Sequence, residues 1–123
     1  MTVYNVFIKK EILMNNKYNW DDPEDCMTAV KKNGYFLRFV KNQTEEMCWQ
    51  AIKRDNGSID YVQKQTHEMC LYVIKQDGWN LKYVRKRTYE LCLNAIKQNK
   101  NTIMYVDEKE FPEIHQIWRL LYE

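Results

Sequence analysis

Glycine and proline are scarce, three Gly and two Pro in 123 residues, which leaves little room for long irregular loops. No apolar run approaches the roughly 18 residues of a bilayer-spanning helix, so no membrane association is expected. The opening MTVYNVFIKKEILM brings Asn, Lys and Glu too early for the apolar stretch of a secretory signal. We therefore expect a cytoplasmic chain with free thiols. Neither sign of charge dominates: 19 Lys and Arg face 17 Asp and Glu, net +2, which by itself does not argue for nucleic acid. No close cysteine pair, Gly-rich phosphate loop, paired carboxylates or Ser–His–Asp set is present, and the two histidines, His67 and His115, lie far apart. No metal, cofactor or enzymatic activity is expected. What remains is a chain 45% hydrophobic and 14% aromatic, sufficient for one folded domain over 1–123.

The chain repeats itself. Cys26, Cys48, Cys70 and Cys92 are spaced 22 residues apart, and the register holds without a gap from Asp22 to Lys109. Glu24, Glu46, Glu68 and Glu90 recur at one place, Lys31, Lys53, Lys75 and Lys97 at another, and Val40, Val62, Val84 and Val106 at a third. The repeats are thus 22–43, 44–65, 66–87 and 88–109. Each opens with Thr, or Asp in the first, a preferred helix N-cap, and places Glu in the first turn, where it complements the helix dipole. Met69, Cys70, Leu71, Val73 and Ile74 then cover a wide arc, as expected of a helix flanked on two sides. Gly34, Gly57 and Gly78 follow as expected C-caps. The second half of each repeat, such as WNLKYV, suits a short helix, a 3₁₀ turn or a short strand. Without the Asn ladder of leucine-rich repeats, the all-α reading is preferred.

The ends read as degraded copies. Phe7-Ile8-Lys9-Lys10 echoes Ala29-Val30-Lys31-Lys32, and Pro112 opens a segment with Ile114, Ile117, Trp118 and Leu121 at helical spacing. Residues 1–21 and 110–123 are therefore expected as caps of an all-α solenoid of four repeats. The phrase T-x-E-[ML]-C followed by I-K, Gly and Y-V resembles the short helical repeats of unknown function abundant in giant DNA viruses of amoebae, with related repeats in some bacterial proteins. The resemblance covers 22–109 and implies a helical-repeat fold and a viral or mobile-element accessory protein, hence a host-cell cytoplasmic location. It implies no catalytic residue.

The candidate sites follow from the repeat. Cys26, Cys48, Cys70 and Cys92 are expected in the core, because equivalent helices stack about 8–10 Å apart, beyond the reach of a disulfide. The aromatic ladder Phe39, Tyr61, Tyr83 and Tyr105 is expected to pack, since Phe at one rung lacks the hydroxyl. A 44-residue alternation sets Gly34-Tyr35, Arg38 and Lys41 against Gly78-Trp79, Lys82 and Arg85, while repeats two and four hold polar or acidic residues there. It reflects either a binding surface or duplication of a two-repeat ancestor. On the first view Tyr35, Arg38, Tyr72, Trp79, Lys82, Arg85 and Tyr89 contact a protein partner. The alternative is a nucleic acid or other polyanion bound by Lys31, Lys53, Lys75, Lys97, Arg85, Lys86 and Arg87. The lysines also suit the helix C-termini on dipole grounds alone. A third possibility is a structural protein that self-associates weakly end to end; otherwise a monomer is expected.

Overall fold

A computed structural model describes residues 2–6, 8–9 and 17–123; Phe7 and Lys10 of the N-terminal echo, and residues 11–16 of the expected N-terminal cap, lie outside them. The described residues are all-helical, with no strand among them. Long and short helices alternate: α1 (Pro23–Lys32), η1 (Gly34–Phe39), α2 (Glu45–Arg54), η2 (Asn56–Tyr61), α3 (His67–Gln76), η3 (Gly78–Tyr83), α4 (Tyr89–Gln98), η4 (Lys100–Tyr105) and α5 (Pro112–Tyr122). The four η elements are six-residue 3₁₀ helices, so the ambiguous second half of every repeat takes one and the same form. No helix among the described residues is long and apolar enough to cross a membrane.

Side-chain caps explain where α1 to α4 start. Thr44, Thr66 and Thr88 accept from the amides of Met47, Met69 and Leu91 at 3.2, 3.2 and 3.3 Å, and Asp22 accepts from Asp25 at 3.2 Å. The expected glycine C-caps are corrected. Helices α1 to α4 end at Asn33, Asp55, Asp77 and Asn99 in extended backbone, and no described residue has positive φ. At three of the four, the same Asn or Asp then caps the 3₁₀ helix, accepting from Tyr35, Trp79 or Asn101. The side chain can stop one helix and start the next because it hydrogen-bonds the backbone two residues on. Gly34 and Gly78 stand next in line for a different reason: a Cβ on Gly78 would lie 2.6 Å from the Ala95 carbonyl oxygen, and one on Gly34 closer still to that of Ala51. They admit the following repeat's helix.

The chain divides into two compact units, Met1–Val62 and Gln63–Glu123, close to a boundary between pairs of repeats. In the first, α1 and α2 pack together, as do η1 and η2, with Ala29, Val30, Leu37, Ala51, Ile52, Ile59 and Val62 fully buried. Tyr18, Trp20, Phe36 and Phe39 form an aromatic cluster at ring separations of 5.2–6.5 Å. In the second, α3 packs on α4 and η3 on η4 around Val73, Ile74, Leu81, Cys92 and Ala95. Helix α5 lies against η4 and buries Ile114, while His115 Nε2 sits 2.7 Å from the Val106 carbonyl and Trp118 Nε1 donates to that of Lys100 at 2.7 Å. Ile117 and Leu121, which share the helical spacing of Ile114, are exposed.

Candidate functional site

The four cysteines occupy one buried rung per repeat, between 0% and 5% exposed, and all are free thiols. Sulfur donates to Trp20 O from Cys26 (3.3 Å) and lies within weak hydrogen-bond reach of Gln43 Oε1 from Cys48 (3.5 Å) and of Gln65 Oε1 from Cys70 (3.8 Å). Burial pushes every one of these thiols up, Cys92 to about 11, so none is a ready thiolate nucleophile. Among the described residues no group of three or more His, Cys, Asp or Glu comes together as a metal site would require.

The lysine ladder falls in the last turns, as its sequence position implied: Lys31, Lys53, Lys75 and Lys97 are exposed at the C-terminal ends of α1 to α4. Lys53 additionally sits over the Trp49 ring at 5.5 Å. The residues of the 44-residue alternation largely serve their own unit. Tyr35 meets Tyr61 edge to face at 6.4 Å, and Trp79 meets Tyr105 in the same way at 5.8 Å. Arg38 lies over Phe39 at 4.6 Å and Lys82 over Tyr83 at 4.9 Å. Tyr72 is half-buried, and Tyr89 is exposed with its ring 6.2 Å from Phe111. The alternation thus matches the two-repeat unit, in which Gly and an aromatic from the first repeat receive the second.

Arg87 takes an inward role. Its guanidinium donates to the carbonyls of Tyr105 (2.7 Å), Val84 (3.1 Å) and Lys82 (3.2 Å). Gln65 and Gln43 occupy the same place one and two repeats earlier and bridge to Tyr83 (2.9 Å) and Tyr61 (2.8 Å). This is a stitch between successive repeats, so Arg87 stands apart from the exposed pair Arg85 and Lys86.

Those two residues open instead onto a groove of about 460 Å³ in the second unit. It is lined by Gln63, Lys64, Gln65, Thr66, His67 and Cys70 on one side and by Arg85, Lys86, Thr88 and Leu91 on the other. The lining is two successive copies of one loop, each running into the N-terminus of a long helix. Gln65 fixes the wall: its Nε2 donates to Tyr83 O, while its Oε1 accepts from the Arg85 amide at 3.1 Å. Arg85 also donates from Nη2 to Gln63 O at 3.4 Å. No carboxylate lines the groove; Glu90 stands outside, paired with His67 at 3.0 Å. Lys64 and Lys86 make no ion pair among the described residues. The positive ends of two helix dipoles add to their field. Sequence reasoning named Arg85 and Lys86 but missed Lys64, His67 and the glutamines. Their signal was available: Gln63–His67 and Arg85–Tyr89 are 22 residues apart, and in a stack equivalent loops are neighbours.

A family model described as a domain of unknown function (DUF4116) matches residues 66–111, the third and fourth repeats and the start of the C-terminal segment. No curated protein and no solved structure matches the chain.

Proposed function

We propose that this chain is a non-enzymatic α-solenoid of four 22-residue repeats that binds a protein partner, with the groove of the second unit as its docking site. The carrying observation is the groove itself: Lys64, Arg85 and Lys86 converge on it, no carboxylate lines it, and the thiol at its base, Cys70, is held protonated by burial. Such a place favours binding over bond-making, because catalysis needs an activated nucleophile or a poised acid and base. Repeats serve this role well, since a common scaffold holds the lining residues while their identities vary from copy to copy. The kinship with the short repeats of giant DNA viruses, and a role as a viral accessory protein, belong to the same proposal.

Affinity capture from the native host, with wild type and a Lys64→Ala/Arg85→Ala/Lys86→Ala variant side by side, tests it. A protein retained by wild type, lost with the variant and rebinding as a purified component supports the reading. Retention indifferent to the three substitutions opposes it.

A further inference from the structure

We infer that the groove between Gln63–His67 and Arg85–Leu91 takes an extended acidic segment of the partner, its Asp or Glu side chains seated among Lys64, Arg85 and Lys86. This rests on the docking role proposed above and specifies the chemistry of the ligand.

The internal repeat supplies a control for the sign of the groove. Forty-four residues earlier, in the first unit, Trp20, Asp21 and Asp22 stand where the second has Lys64, Gln65 and Thr66, and Lys41 and Asn42 stand where it has Arg85 and Lys86. The two surroundings differ in effect. The Cys26 thiol is raised by burial and further by Asp22, Asp25 and Asp21, whereas the Cys70 thiol, also raised by burial, is drawn back down by Arg85. One scaffold therefore carries both signs, and the cationic lining is not something the fold requires. Lys64 and Lys86, without an ion partner among the described residues, repel one another within one groove, and an anionic guest relieves that repulsion.

The groove suits a peptide better than a nucleic acid. None of its ten lining residues is Phe, Tyr or Trp, and its one imidazole, His67, is engaged by Glu90 at 3.0 Å, so it offers a poor platform for stacked bases. The ladder lysines Lys75 and Lys97 stand at the far ends of ten-residue helices, about 15 Å away along the axis, and do not extend the cationic strip. A volume of about 460 Å³ accommodates a few side chains. Leu91 and Cys70 offer apolar contact at its base, and Gln63, Thr66 and Thr88 offer hydrogen-bonding groups along its walls.

Fluorescence anisotropy with a labelled peptide of alternating Glu and Ser tests the inference, using the full chain. The peptide should bind saturably at about 50 mM salt and weaken several-fold by about 300 mM, as a screened contact must. Lys64→Glu and Lys86→Glu, whose far-UV circular dichroism should match wild type, should each weaken binding by about tenfold or more. Lys75→Glu and Lys97→Glu should change it less than about twofold. No saturable binding, an equal loss with the ladder variants, or tighter binding of a single-stranded oligonucleotide of equal charge each overturns the acidic-peptide assignment. So does a concentration-dependent dimer that Lys86→Glu abolishes, which gives the groove to a second copy of the chain. If the peptide fails while the captured partner remains sensitive to the groove variant, only the ligand class falls. If the partner is insensitive as well, the docking reading falls with it.

Discussion

Arg87 donates from Nη1 to the carbonyl oxygen of Tyr105 at 2.7 Å, spanning the same 18 residues by which Gln65 reaches Tyr83 at 2.9 Å. Two unlike side chains thus make one stitch between adjoining repeats. The shared element is a planar N–H donor on a long arm, and the charge is incidental. Arg87→Gln should therefore retain most of the stability of the second unit. Arg87→Ala leaves three carbonyls without their donor and should cost about 1–3 kcal/mol in urea unfolding. Equal loss in both variants would show that the charge matters after all.

Glycine placement gives a second prediction. Gly34 and Gly78 face backbone carbonyls of the following long helix, Ala51 and Ala95, which move only if the helix moves. Gly57 instead faces the hydroxyl end of the Tyr35 ring, 2.8 Å from where a Cβ would stand. Gly34→Ala and Gly78→Ala should each destabilise by about 1–3 kcal/mol, and Gly57→Ala by less, because a half-exposed ring can swing aside. Thermal unfolding of the three variants compares them directly. The order is the prediction: a Gly57 variant as damaged as the other two would contradict it.

Both cases bear on what was legible from the residues alone. The long helices were readable because their signals are local: Thr44 caps three residues on, and Met69, Cys70, Val73 and Ile74 define a face within one copy. The 3₁₀ halves were less so, since six residues such as Asn-Gly-Ser-Ile-Asp-Tyr satisfy helix, turn and strand patterns alike. What opens the turn in three of them is the side chain of Asn33, Asp77 or Asn99, while the Asp55 side chain instead accepts from the Gly34 amide. The glycines were misjudged because their reason lies 17 residues away in the next copy. Arg87 counted as a surface cation for the same reason. Of the groove, Arg85 and Lys86 stood out as a basic run, but Lys64 joins them only through repeat-to-repeat packing.

The thiols give a pH prediction with a definite sign. Cys92 is buried and its pKa rises from 9.0 to about 11, so folding favours the protonated form. Stability from this group is fully present below pH 9, its ordinary value, and is lost as pH rises towards 11. Unfolding midpoints should accordingly be level from pH 7 to about 8.5 and fall beyond it. A chromogenic disulfide at about pH 8 should label the native chain slowly and all four cysteines promptly in denaturant. Rapid labelling of a single native thiol would place that sulfur outside the core.

The Ser58 hydroxyl is buried with no hydrogen-bond partner among the described residues. The equivalent residues in the next two repeats are satisfied: Asn80 Nδ2 donates to Val73 O at 2.8 Å and Thr102 Oγ1 to Asn99 O at 2.8 Å. In the first repeat the place belongs to Phe36, which joins the aromatic cluster. The site thus tolerates apolar and polar occupants alike, and what it penalises is a polar atom left alone. Ser58→Ala removes that atom with little change in volume and should stabilise the first unit by about 1 kcal/mol. Asn80→Ala removes one of two donors to the Val73 carbonyl, which keeps the Asp77 amide, and should destabilise the second unit by about 0.5–1.5 kcal/mol. Opposite signs at equivalent positions are a stringent outcome, since helix propensity and cavity size push both substitutions in the same direction. A destabilised Ser58→Ala would mean that the hydroxyl has a partner, most simply a water molecule enclosed beside η2.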